Sequence, residues 1–196
     1  GITSAAIMAR TLKRLNKSFS IKIVKQLEKN YLENINSDDL IIFLDLGSNL
    51  LTEMSKLKNP ILAIDHHEIS GELGKNTIFI NPHLSGKEEI SAAGLTYLFS
   101  KTINPENKDL ASLAIIGMVG DMLDRSISKL NNQILNDAEV LIKKSLLLYP
   151  STRPIHKILE FSSSIYIPGV TGNSKGAINL LNEAGIKKEN STWKNL

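Results

Sequence analysis

Four short apolar runs punctuate the first half of the chain: Phe19 to Val24, Leu40 to Leu46, Pro60 to Asp65 and Thr77 to Ile80. Between and after them, apolar residues recur at the three- and four-residue spacing of a helix face, so the pattern predicts strands alternating with helices. The runs LIIFLDL and ILAID are apolar at nearly every position, as expected of strands covered on both faces in a parallel sheet. The chain opens directly on a helix, with Ala5, Ala6, Ile7, Met8, Leu12 and Leu15 as its apolar stripe and Arg10, Lys13 and Arg14 outside it. Further helices are predicted over Ser91 to Thr102, Asp109 to Asp121, Gln133 to Leu148 and Lys175 to Ala184, the last stopped by Gly185. The expected fold class is α/β, a mostly parallel sheet flanked by helices, over residues 1–150. After Pro150 the texture changes, as Gly, Pro, Ser and Asn accumulate in SSSIYIPGVTGNSKG. Residues 151–196 are expected to form a helical C-terminal extension.

Composition narrows the classes of function. A chain of 196 residues, 42% hydrophobic and 22% charged, can bury a core, which excludes disorder. No apolar run approaches the ~20 residues needed to span a bilayer. The first residues also lack the basic-then-apolar layout of a signal peptide, so a cytoplasmic protein with no membrane partner is expected. The absence of cysteine excludes a disulfide framework, a thiolate zinc site and a cysteine nucleophile. Carboxylates and four histidines remain as metal donors, a set suited to hard or borderline metals. With 23 Lys+Arg against 20 Asp+Glu, the net charge of +3 tolerates a polyanionic partner without requiring one.

In an open parallel sheet ligands bind beyond the carboxyl ends of the strands, so polar residues ending an apolar run carry the most weight. Leu40 to Leu44 ends in Asp45-Leu46-Gly47-Ser48, and Ile61 to Ile64 ends in Asp65-His66-His67-Glu68. On neighbouring strands Asp45, Asp65 and His66 would converge on one edge, and a divalent cation is the usual remedy for carboxylates and imidazoles crowded together. Taken alone, Asp45 reads equally well as a helix cap beside Ser48 and Asn49. Capping does not account for the histidines, two of the four falling where the fold places ligands. Asp121 follows Ile115 to Gly120, whose small residues Gly117 and Gly120 admit a close neighbour. A carboxylate is badly placed at a helix C-terminus unless a positive partner is present; its plainer reading is a solvated turn.

His83, in Asn81-Pro82-His83, closes the Thr77 to Ile80 strand at the same edge and reads as a loop or substrate-rim residue. His156, four residues before Glu160, reads as a helix-surface residue without a role. Arg10, Lys13, Arg14 and Lys17 recur at helical spacing and read as a solvated flank. The sequence contains no P-loop, GxGxxG fingerprint, GxSxG elbow or HExxH motif.

Three motifs in order, Asp45-x-Gly47, Asp65-His66-His67 and Gly117-x-x-Gly120-Asp121, resemble those of the DHH phosphoesterases. That superfamily includes RecJ exonucleases, manganese pyrophosphatases and oligoribonucleases. Glu89 to Tyr97, Arg153 to His156 and Ile167 to Gly172 are similar to the archaeal RecJ-like nucleases in particular. The resemblance implies that Asp45 bridges two Mn²⁺ ions, with Mg²⁺ as an alternative metal, and that His66 and Asp121 ligate one of them. It also implies that His67 contacts the scissile phosphate and that Asp65 orients the site from behind. The implied activity is metal-dependent exonucleolytic hydrolysis of single-stranded DNA or RNA in replication and repair. The ions would activate a bridging water and neutralise the phosphate oxygens.

One departure from the family pattern bears on activity. The family's first motif, Asp-x-Asp, stands immediately before a Gly-Ile-Thr-Ser-Ala-like turn, and this sequence begins at Gly1-Ile2-Thr3-Ser4-Ala5. Without those aspartates the second ion loses most of its ligands, so hydrolysis by this chain is expected to be weak or absent. The sequence also stops before the family's usual C-terminal substrate-binding domain. The alternative that the resemblance implies is a non-catalytic replisome protein binding the GINS complex and the replicative helicase. A pyrophosphatase or nanoRNA-degrading enzyme is a third reading, disfavoured by the archaeal nuclease-like stretches.

Overall fold

Three short strands carry the sheet in the computed structural model, which describes residues 1–35, 37–86, 88–140, 153–163 and 165–186. They are β1 (Ile41–Leu44), β2 (Ile61–Ile64) and β3 (Thr77–Ile80), parallel throughout and in the order β1-β2-β3. The architecture is α/β. The helices are α1 (Ile2–Arg14), α2 (Lys29–Glu33), α3 (Leu51–Met54), α4 (Ala92–Ile103), α5 (Ala111–Gly120), α6 (Lys129–Asp137), α7 (Ile155–Glu160) and α8 (Ser174–Glu183). The residues group into two units, 1–140 and 141–196.

Within the first unit, β2 is buried at all four positions because both its faces are covered. Leu62 and Ile64 face a core shared with Ile7 and Met8 of α1, Tyr97 of α4, Ala114 of α5 and Ile134 of α6. Ile61 and Ala63, on the opposite face by the two-residue repeat of a strand, pack with Phe43, Leu51 and Met54. Ser91 caps α4 by accepting the Gly94 N–H at 3.1 Å, and Ser128 caps α6 by accepting that of Asn131 at 3.2 Å. In the second unit, α7 and α8 bury Ile155, Leu159, Ala177 and Leu181 with Val170.

Residues 19–24, predicted as a strand, are not one. Phe19, Ile21 and Ile23 stand 44%, 53% and 69% exposed, and among the described residues no strand pairs with the segment. An alternating apolar run becomes a strand only where a neighbour takes up its N–H and C=O groups. The helix predicted from Gln133 begins earlier, at Lys129, because Ser128 supplies the cap. It stops at Asp137, after which Glu139 turns the chain at φ +55°. Residues 141–148 of that prediction, and the boundary expected at Pro150, lie outside the described residues. Arg14, expected on a solvated flank, forks onto both oxygens of Asp109 at 2.8 and 2.6 Å and onto Asn107 Oδ1 at 2.7 Å, tying α1 to the turn before α5. No helix among the described residues is long and apolar enough to cross a membrane.

Candidate metal centre

The strand register alone sets a row of polar residues along one edge. Leu44, Ile64 and Ile80 are aligned at the ends of the three strands, so Asp45, Asp65 and Asn81 follow side by side. The ladder reaches the first two, with Asp45 N–H donating to the Ile64 carbonyl at 2.9 Å and Asp65 N–H to that of Ile80 at 3.1 Å. Immediately beyond, the chain turns: Asp45 adopts φ +62° and Gly47 φ +111°. Asp tolerates the left-handed region better than most residues, and non-glycine residues held there cluster at functional sites.

Asp45 and His66 meet at this edge, His66 Nε2 lying 3.4 Å from Asp45 Oδ1. The same nitrogen lies 3.7 Å from Oδ2 of Asp121, the residue that ends α5. One donor atom each from Asp45, His66 and His67 falls within a mutual distance of 4.8 Å. Asp45 Oδ2 contacts the Gly1 nitrogen at 2.6 Å. Its Oδ1 is buried without a hydrogen-bond partner, an arrangement that costs free energy unless another group completes it.

Asp65 works from behind this cluster. Its side chain is 1% exposed. Oδ2 accepts the Ser48 N–H at 3.0 Å, and Oδ1 accepts the His66 N–H at 2.8 Å and the His67 ring Nδ1–H at 2.7 Å. A carboxylate holding one ring nitrogen fixes the tautomer and leaves the other nitrogen for a ligand. The His67 ring, 59% exposed, is the outermost of the group. His83 is held at the same edge, its Nε2 at 3.2 Å from the His66 carbonyl. His156 lies in the second unit, buried on α7 rather than at a helix surface.

The electrostatics follow from this crowding. Burial pushes the Asp45 carboxyl up, while the adjacent His66 imidazole pulls it down, and the group is held below its ordinary value. The Asp45 contact, opposed by burial and supported by the Asp121 charge, raises His66 above its ordinary value. Burial opposes ionisation of Asp65 too, and the Ser48 and His67 hydrogen bonds overcome it, so its pKa is lowered. Asp121 goes the other way, raised first by burial and further by the Asp45 charge, against the pull of His66. Two carboxylates facing one imidazole form a site where a cation is favoured.

Family comparison agrees with the motifs. The DHH family, N-terminal domain, matches residues 1–118, more than half of the chain. The chain belongs to the DHH family. A DHH-CID domain matches residues 148–196. The chain is 31% identical over 201 residues to the uncharacterized protein MJ0831 of Methanocaldococcus jannaschii, spanning 95% of itself and 46% of that relative's length. The DHH fold is shared with the crystal structure of exonuclease RecJ bound to manganese, at TM-score 0.55 and 20% identity over 70% of this chain and 40% of that one. RecJ in complex with Mn²⁺ from Thermus thermophilus matches at TM-score 0.54 and 20% identity, over 94% of this chain and 28% of that one.

Sequence reasoning misses the part played by Ser48, which reads there only as a helix cap. Its N–H instead neutralises a lone pair of Asp65. The signal available is its place three residues after a strand-end aspartate, which gives no indication of which carboxylate it meets.

Proposed function

We propose that this DHH protein is a metal-dependent phosphoesterase acting on phosphodiesters of single-stranded DNA or RNA, with Asp45, His66 and Asp121 holding a Mn²⁺ ion. The observation that carries the reading is a convergence of donors: the buried Oδ1 of Asp45, which makes no hydrogen bond, lies 3.4 Å from His66 Nε2, and that nitrogen stands 3.7 Å from Asp121 Oδ2. The donors fit: imidazole with carboxylates and no thiolate suits Mn²⁺ or Mg²⁺ better than soft metals. When bound, such an ion lowers the pKa of a coordinated water and offsets charge on phosphate oxygens.

The chain's own residues supply orientation and access. Asp65 holds the His67 ring through Nδ1 and turns Nε2 outward, where it can meet a phosphate oxygen only as a donor, when it carries a proton as well. His66, flanked by Asp45 and Asp121, must release its proton to ligate, which couples ion binding to pH. His83 bounds the edge beside His66 and lies within reach of a substrate entering along the rim.

The test is hydrolysis of labelled single-stranded DNA and RNA with Mn²⁺, with EDTA, and with His66→Ala. We expect slow, Mn²⁺-dependent product release that is lost in the variant. Release that survives both EDTA and His66→Ala contradicts the reading, as does a protein that takes up neither Mn²⁺ nor oligonucleotide.

A further inference from the structure

The His66-His67 backbone presents four polar groups at the sheet edge, and each has a partner. Both N–H groups point to Asp65 Oδ1, His66 at 2.8 Å and His67 at 3.5 Å. The carbonyls are held from the opposite side, that of His66 by His83 Nε2 at 3.2 Å and that of His67 by Asn81 Nδ2 at 3.0 Å. A carbonyl only accepts, so the His83 ring must carry its proton on Nε2. Asn81 is buried and engages both ends of its amide: Nδ2 also donates to Ser48 Oγ at 3.1 Å, and Oδ1 accepts the His83 N–H at 2.9 Å. Ser48 N–H in turn donates to Asp65. One amide therefore joins the loops that follow all three strands. Only a side chain of this length with donors and an acceptor on the same planar group can do so; aspartate lacks the donors, and serine lacks the reach.

We propose that Asn81 is a positioning residue of the metal centre, fixing the directions of the His66 and His67 imidazoles by clamping the peptides that carry them. It holds the His67 carbonyl directly and the His66 carbonyl through the His83 backbone it caps. Its consequence for ion binding rests on the metal-site reading above; its effect on the rings does not. Ligand geometry tolerates displacements on the order of 0.5 Å, less than a freed peptide allows.

Two variants test this in the full chain. Asn81→Ser retains an oxygen that can cap His83 but reaches neither Ser48 nor the His67 carbonyl. Asn81→Asp retains the size but sets an acceptor against that carbonyl. The first readout needs no metal: two-bond ¹H–¹⁵N spectra of the imidazoles. We expect the wild type to show one His67 tautomer, protonated on Nδ1, and both variants to show an averaged ring. The second is Mn²⁺ calorimetry, where affinity is expected to fall about 10–100-fold, as for other groups that orient metal ligands. A folded variant that keeps the single tautomer and the wild-type affinity overturns the proposal, even if its melting temperature drops. If the wild type binds no Mn²⁺, the metal reading fails and the tautomer comparison decides the role of Asn81. If Asn81→Ser does not fold, Asn81→Asp decides alone.

Discussion

Asp65 is the side chain whose replacement separates orientation from ligation. Asp65→Asn preserves its volume but removes a charge that accepts from Ser48, His66 and His67. Mn²⁺ affinity is expected to fall about 10–100-fold by calorimetry, with a stability loss of about 1–3 kcal/mol in denaturant unfolding. The Asp45–His66 pair also sets a pH signature in the metal-free protein. The His66 pKa is raised from 6.5, so its contribution is complete below that value and lost as pH rises through the higher folded one. The Asp45 pKa is lowered from 3.8, so its contribution is present above 3.8 and lost as pH falls through the lower folded value. The melting-temperature difference between wild type and His66→Gln should therefore be largest between these windows and shrink through neutral pH. A difference independent of pH contradicts the pairing. At this scale the sequence already singles out Asp45, Asp65, His66 and His67, because chemistry-bearing residues at strand ends stand out against apolar runs; Asp121, which alone reads as a solvated turn, is reached only through the family resemblance. Asn81 and Ser48 do not stand out, since a buried amide or hydroxyl is recognisable only by the partners it meets.

Helix α5 delivers Asp121 to the edge only because it packs closely on α4 and α1. A Cβ added at Gly117 would lie 2.4 Å from Ala93 Cβ and 2.9 Å from Thr3 Oγ1. Gly117→Ala is expected to cost about 1–3 kcal/mol from overpacking, exceeding the roughly 0.5–1 kcal/mol that alanine gains in a helix. Thermal unfolding checks this, and Ala93→Gly in the same chain should recover most of the loss. Equal destabilisation in the double variant would show that the steric contact is not the cause. The sequence makes α1, α4, α5 and α8 legible through their apolar repeats, with Gly185 marking the end of α8. It fails at residues 19–24, where the alternation is genuine but the described fold brings no neighbouring strand, and pairing is a property of the sheet rather than of the segment.

For the whole molecule, the parallel sheet gathers the residues of the proposed metal site at the carboxyl ends of β1 and β2, with Asp121 at the end of α5 alongside. The strand order and register depend on which segments pair across the chain, and no local pattern encodes them; once known, they place Asp45 beside Asp65 without further assumption. Because Mn²⁺ is proposed to bind the folded state, saturating it at about 100 times Kd should raise stability by about 2.7 kcal/mol. EDTA should reverse the rise in melting temperature. The most direct measurement is anomalous diffraction from crystals grown with Mn²⁺. A difference peak bounded by Asp45, His66 and Asp121, absent in His66→Ala, is the predicted result. Ordered density for those three side chains with no peak between them, or a peak only elsewhere, contradicts the account.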